Sequence, residues 1–399
     1  MATIPTFRAV PASQRRPSRR SFATSLTLFP TAAPNGIREF RGASSPPPAG
    51  GRSSKPAEEL VGIARLAASS PLAEAKCGTE YFLLPVRSIL NYCDSPRVPF
   101  NWTVNPYRGC EFGCRYCYAR YTHEYMELDG SEFERKIFVK KDAASLVGHD
   151  LEGKNITSEH IAIGTATDPY QPAEREFGVT RAILEQMAQR EGLNLSITTK
   201  SDRVVRDIEL FQRISVRSSL TINLSVTTLR ARLARLLEPR APRPDLRLAA
   251  VRRLRAAGLA AGVFAMPILP GITDAEEDLD ALASAARDAG ALWFAGTTLF
   301  LMPAALRQFL PFVESKFPKL AGQYRDWFLR HGNAPESYRS EMAACIRRLR
   351  KKYNLGARPE SPREIVSRSP QLNLELGNTA WPCEVSPASA TTRSRTCTA

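Results

Sequence analysis

The chain has 399 residues, 43% of them hydrophobic, enough to bury one large core or two ordinary ones. Its formal charge of +15 suggests a nucleic-acid partner, yet residues 1–56 carry nine Lys and Arg against one acid, leaving the remainder only mildly basic. Eight unevenly placed cysteines exclude the even disulfide framework of a small secreted scaffold, and with no run of about 18 apolar residues no transmembrane helix is expected. A reducing, cytoplasmic setting is the expectation.

Residues 1–56 are rich in Pro, Ser, Ala and Arg without hydrophobic periodicity and read as a disordered leader. Ser18-Arg19-Arg20-Ser21-Phe22 echoes a twin-arginine export signal. The apolar stretch behind it is short, hydroxyl-rich and stopped by Pro30, so a solvated leader is expected instead. Residues 57–99 form a lead-in. Leu60, Ile63 and Leu66 predict a short helix over Glu58 to Ala68, and Tyr81 to Leu84 reads as extended.

A first strand is predicted at Trp102 to Asn105, and a glycine-punctuated loop follows it with Cys110, Cys114 and Cys117 in a Cys-x3-Cys-x2-Cys spacing. A structural zinc site wants four closed ligands, and the chain has no second Cys-x2-Cys and no His-x3-5-His. A zinc or disulfide knot is the bland alternative. A 4Fe-4S cluster held by three thiolates, with one iron left open to a small molecule, fits the spacing better. Gly109 and Gly113 would let the backbone wrap closely round it, and Arg108 and Arg115 would favour thiolates.

This spacing, with the aromatic Tyr116 before the last cysteine, resembles the signature of radical S-adenosylmethionine (SAM) enzymes. The longer string from Asn105 to Cys110, followed by Tyr118-Ala119-Arg120, is similar to the branch related to spore photoproduct lyase. Arg87 to Asn91 followed by Asp94-Ser95-Pro96 resembles the stretch before the cluster in that branch. The resemblance covers about residues 80 to 355. It implies an α/β fold, a partial (β/α)6 TIM-like barrel, with a 4Fe-4S cluster on Cys110, Cys114 and Cys117, and SAM as second cofactor. It also implies an electron donor such as flavodoxin or ferredoxin and counts Tyr116 among the cofactor-binding residues. Phe112 stands where many relatives carry histidine.

From the first strand onward, apolar β-branched runs alternate with amphipathic helices, the pattern of parallel β/α units. Five further strands are predicted near Ile161 to Gly164, Leu195 to Thr198, Leu220 to Val226, Ala261 to Met266 and Trp293 to Phe300. The long first interval holds an insertion at Ile137-Phe138-Val139 and a helix after Asp142. Thr180 precedes a helix with Ile183, Leu184 and Met187 on one face; Val204, Ile208 and Phe211 mark another; Thr273-Asp274-Ala275-Glu276 predicts a capping box. Helices from Ala304 to Arg330 and from Ser337 to Tyr353 extend the core of residues 100–303 through 304–357, and 358–399 reads as a low-complexity tail.

Ligands in such folds bind outside the carboxyl ends of the strands. That makes Thr165, Thr167 and Asp168 candidates for the SAM amino group by resemblance, although Asp168 before a proline also reads as a turn residue. Lys200 is a candidate for the SAM carboxylate, with a side chain pointing into solvent as the plain alternative, and Ser225, with Thr227, for the ribose or carboxylate. Thr227 or Thr228 equally suits a helix N-cap. The segment Ala265 to Asp274 resembles the stretch that packs along the adenine.

Residues 230–255 hold nine arginines against two acids, which suits phosphates or, more simply, a solvated helical face. Three functions follow: a radical SAM enzyme of undefined substrate; a DNA-lesion lyase; and a nonenzymatic, metal-stabilised nucleic-acid-binding protein. For the lyase, the family's additional cysteine hydrogen donor has no counterpart between Cys117 and Cys345, leaving Tyr170 or another tyrosine for that role.

Overall fold

The four central predicted runs of β-branched and apolar residues become strands buried on both faces, and strands of that kind assemble into a parallel sheet. The structure is a computed structural model that describes residues 59–93, 98–153, 156 and 159–358. The leader over 1–56, its twin-arginine echo, Asp94-Ser95-Pro96 and the tail after residue 358 lie outside the described residues.

The lead-in supplies helix α1 (Gly62–Ser69) and strands β1 (Leu72–Lys76), β2 (Thr79–Leu83) and β3 (Leu90–Tyr92). Next come β4 (Trp102–Val104), β5 (Tyr107–Arg108), the cysteine loop, the short helix α2 (Tyr121–Glu124), β6 (Lys136–Val139) and α3 (Ala143–Gly153). Strand and helix then alternate through β7 (His160–Ile163), α4 (Ala173–Phe177), α5 (Val179–Met187), β8 (Asn194–Thr199) and α6 (Ile208–Arg217). The alternation continues with β9 (Ser219–Ser225), α7 (Ala231–Leu237), α8 (Pro244–Ala256), β10 (Ala261–Ile268), α9 (Glu276–Asp288) and β11 (Phe294–Thr298). Helices α10 (Pro303–Lys316), α11 (Ala321–His331) and α12 (Glu336–Tyr353) end the series.

All six predicted strands are present and lie side by side in chain order as β4, β7, β8, β9, β10 and β11, every neighbouring pair parallel. Strand β3 adds to β4 in antiparallel fashion, making a seven-stranded sheet that runs from β11 to β3. Ile161, Leu195, Ile197, Ile222, Leu224 and Val263 are fully buried in its core. A second sheet, ordered β1-β2-β6-β5, carries the predicted insertion.

Three local expectations are corrected. The cysteine loop does not leave the first strand directly, because Tyr107 and Arg108 first pair with Phe138 and Val139 of β6 in the smaller sheet. The capping box does not form: Thr273 Oγ1 accepts from the Leu269 N–H at 2.9 Å and Asp274 accepts from Gly271 and Tyr338, so α9 starts after Ala275 without a side-chain cap. The long helix expected over Ala304 to Arg330 breaks at Phe317, where Pro318 cannot continue the hydrogen-bond ladder. Helix α12 packs on β11 and α9, burying Cys345, Ile346 and Leu349. Beyond it, Gly356 pairs with Trp293 beside β11, so the chain stays within the fold up to Arg358.

Candidate active site

Gly109 turns the chain out of β5 at φ +85°, where a Cβ would stand 2.7 Å from the Lys136 carbonyl, so only glycine fits. The loop beyond it is fastened from several sides. Cys110 N donates to the Phe133 carbonyl at 3.0 Å, Arg115 N to that of Leu237 at 2.9 Å, and Glu111 N to Gln171 Oε1 at 2.9 Å. Buried Glu111 accepts in turn from the Tyr81 hydroxyl at 2.9 Å and Ala173 N at 2.6 Å. The loop is thereby rigid before any ligand arrives.

Cys110, Cys114 and Cys117 are free thiols lining one cavity of about 190 Å³, the first two only 8% exposed. Burial pushes all three thiols up; for Cys110 the charge of Asp168 and the other two cysteines add to it. Without a metal these groups stay protonated, and a bound cation would reverse that. Among the described residues no three His, Cys, Asp or Glu side chains converge on a point that one metal ion could occupy. A cubane takes each thiolate on a different iron, so its ligands surround a volume instead. Three free sulfurs lining one cavity, two of them buried, fit that group.

Arg108 and Arg115 do not serve the thiols. Arg115 lies over the Phe312 ring at 5.9 Å, and Arg108 is half-buried near Lys140 and Tyr121. The cations that ease the thiols down are Arg120 and Lys200 on Cys117, and Lys200 and Arg247 on Cys114.

Every cofactor candidate read from the sequence, Tyr116, Thr165, Thr167, Asp168, Lys200 and Ser225, lines the same cavity. They are not equivalent. Asp168 spends its carboxylate on Tyr170 N at 2.9 Å, Thr199 Oγ1 at 2.6 Å and Lys200 N at 2.7 Å, which ties the end of β8 to the loop after β7. That is the turn-and-clamp role. Thr167 Oγ1 donates to the Gly109 carbonyl at 2.6 Å, and Asn105 and Tyr118 bind Thr165, so this loop also braces the cysteines. At Gly164, φ is +87° and a Cβ would meet the Thr198 carbonyl at 2.6 Å.

Beneath the loop lies a network that sequence reasoning missed. Buried Glu238, at the end of α7, accepts from the Tyr116 hydroxyl, Thr227 Oγ1 at 2.7 Å and buried Arg247 of α8, and Lys200 Nζ stands 3.8 Å away. Burial alone would raise its carboxyl; Arg247, Lys200 and the two hydroxyls outweigh burial and hold it at about 2. The Lys200 ammonium also faces the Tyr116 ring at 5.9 Å. Thr227 therefore belongs to this buried network and is not among the cavity's lining residues, while Thr228 Oγ1 accepts from Arg230 N at 3.1 Å near the start of α7.

The arginine stretch divides accordingly. Arg247 is buried, Arg255 is half-buried, and the other seven are exposed, with Arg230 and Arg243 paired to Asp278 and Asp245. In the segment expected along adenine, Met266 and Pro267 line the cavity but Leu269 is plain core. Tyr170, offered as a hydrogen donor, is fully buried, donates to Asp207 at 3.0 Å and is not among the cavity's lining residues.

An uncharacterized protein of Mycobacterium tuberculosis is 34% identical over 289 residues, 71% of this chain and 85% of that one. One from Methanocaldococcus jannaschii is 31% identical over 175 residues, 44% and 63% of the two chains. Among solved structures, spore photoproduct lyase complexed with dinucleoside spore photoproduct aligns with TM-score 0.53 at 18% identity, covering 75% of this chain and 87% of that one. A variant of that lyase with bound AdoMet and the same dinucleoside gives 0.54 at 18%, again over 75% and 87%. At such identities the likeness is one of fold. The family model described as the radical SAM superfamily matches residues 104–283, a span that opens at the strand before the cysteine loop and closes in α9, and the chain belongs to that superfamily.

Proposed function

We propose that this protein is a radical SAM enzyme acting on a substrate still to be defined, its open β/α sheet serving as a partial barrel. One observation supports this above the others: three free cysteines, two of them buried, and residues towards the ends of five parallel strands face a single cavity. Cys110, Cys114 and Cys117 would hold a 4Fe-4S cluster. When bound, that cluster supplies the electron for reductive cleavage of SAM to a 5'-deoxyadenosyl radical able to abstract hydrogen.

The chain's own residues supply position and charge. Lys200, half-buried beside Glu238, offers an ammonium to the SAM carboxylate, and Ser225 a hydroxyl to the carboxylate or ribose. Thr165 and Thr167 present the amino-group side of the pocket, with Asp168 as a positioning residue that fixes Lys200. The apolar walls, among them Phe112, Tyr118 and Met266, exclude water from a reactive centre. Reduced thiols and one-electron chemistry suit the cytoplasm, with a flavodoxin- or ferredoxin-type donor.

A DNA-lesion lyase with a thiol hydrogen donor is the weaker reading, since among the described residues the cavity's only cysteines are the proposed ligands. A structural-metal, nucleic-acid-binding protein would not need the cavity. The test is anaerobic reconstitution with iron and sulfide, then an assay for 5'-deoxyadenosine with a chemical reductant. We expect an iron-sulfur absorbance band and product from the wild type and neither from Cys114→Ala. Stoichiometric zinc in place of iron, or undiminished product from the variant, would overturn the assignment.

A further inference from the structure

Arg120 and Arg247 are buried guanidinium groups matched by carboxylates of the chain, Glu134 at 2.6 Å and Glu238. Half-buried Arg358, which lines the cavity, has no such match among the described residues. It follows the short stretch in which Gly356 N donates to the Leu292 carbonyl at 2.9 Å and Phe294 N to that of Gly356 at 3.2 Å, pairing that fixes where its side chain begins. From there it enters the cavity that holds the cysteines. Its guanidinium carbon stands 5.4 Å from the centre of the Phe264 ring, and Nη1 is buried without a hydrogen-bond partner among the described residues.

Among the described residues no neutralising group stands nearby. His160, which feels the Arg358 charge, is kept neutral by burial, lowered to about 4, and its ring nitrogens meet the Pro99 carbonyl at 2.5 Å and Ser196 Oγ at 2.8 Å. Burial lowers Arg358 only to about 10, so it stays charged at neutral pH. A charge withdrawn from water needs a counter-ion, and when the described residues provide none a ligand is a natural source. Phe264 lies in the middle of β10, two residues before Met266, whereas the cysteines and Lys200 stand at the strand ends; the cation therefore faces the part of the cavity away from the proposed SAM carboxylate.

We propose that Arg358 receives a carboxylate or phosphate group of the substrate, so that the molecule acted on in this cavity is an oxyanion. This rests on the radical SAM reading above. A planar guanidinium suits either group through two parallel hydrogen bonds, and the Phe264 face would hold its plane in place.

The experiment uses the full chain, anaerobically reconstituted, with inorganic phosphate or acetate titrated against chloride at constant ionic strength. Modification of arginines by phenylglyoxal is mapped by mass spectrometry, and melting temperature is followed in parallel for the wild type, Arg358→Gln, Arg358→Lys and the exposed control Arg348→Gln. We expect one anion or both to protect Arg358 saturably and to raise the wild-type melting temperature. In Arg358→Gln the apparent affinity should fall about tenfold or more, the loss of a charge-assisted hydrogen bond, with an intermediate fall in Arg358→Lys and none in Arg348→Gln. No saturable protection by either anion, or an equal response in Arg358→Gln, overturns the proposal and leaves a cation merely stacked on Phe264. Protection without reductive SAM cleavage in the same preparation would instead remove the radical reading, and with it the assignment of the anion to a radical substrate.

Discussion

Glu238 shows how much one carboxylate can organise when it is buried among donors. With Arg247 at its side and both groups 1% exposed, removing either partner leaves an uncompensated buried charge, which costs about 3–5 kcal/mol. Its carboxyl is held at about 2 in the fold against an ordinary value of 4.5. A depressed carboxyl stabilises the fold above its unfolded pKa and loses that contribution as pH falls through the folded one. The contribution, about 3 kcal/mol at neutral pH, should therefore disappear between about 4.5 and 2. Urea titrations of metal-free wild type and Glu238→Gln should show a gap at pH 7 that narrows as the pH is lowered through this window. A gap that is constant with pH would mean that the variant loses packing and not charge. This residue was invisible in the sequence for a definite reason. Glu238 and Arg247 are nine positions apart across a proline-rich turn, and Tyr116 lies over a hundred residues away, so only tertiary structure selects one arginine of nine for burial. The cysteines were legible because their spacing is local.

Strands and helices were legible where a period repeats. All six parallel strands follow from apolar runs at β/α spacing, and α5 buries Ile183, Leu184 and Met187 as its pattern requires. Ends and turns were less so, because a hydroxyl such as that of Thr273 can bond backward to Leu269 as readily as forward to a helix. Turn glycines offer a graded test. Gly178, after α4, has φ +61° and open space around it, so Gly178→Ala should cost only the left-handed penalty of about 1–2 kcal/mol. Gly164→Ala adds a clash with the Thr198 carbonyl and the Pro169 ring, each at 2.6 Å, and should cost about 1–3 kcal/mol more, since strand β8 must shift. Equal denaturation midpoints for the two variants would show that the contact at Gly164 relaxes freely. Because that loop also braces Gly109 through Thr167, Gly164→Ala should load less iron than Gly178→Ala, measured as iron per chain after reconstitution.

Across the whole molecule, two distant regions should respond differently to the same ligand. Helix α12 lies on β11 where Gly296 leaves room: a Cβ there would stand 2.8 Å from Ile346 Cδ1. Ile346→Ala removes buried methyl groups far from the cysteines in sequence and should lower stability by about 2–4 kcal/mol, by a similar amount with and without the metal centre. Cys114→Ala should change the stability of the metal-free protein by only about 1 kcal/mol, since a small buried side chain is replaced by a slightly smaller one. Its larger effect is on linkage. A group that binds the folded state alone adds its binding free energy to stability, so the reconstituted wild type should melt well above the metal-free form while Cys114→Ala shows no such rise. Calorimetry of the four preparations, two proteins with and without iron and sulfide, reads both quantities at once. A rise that survives in Cys114→Ala would place the metal elsewhere, and a rise missing from the wild type would mean that three thiols facing one cavity hold no cluster.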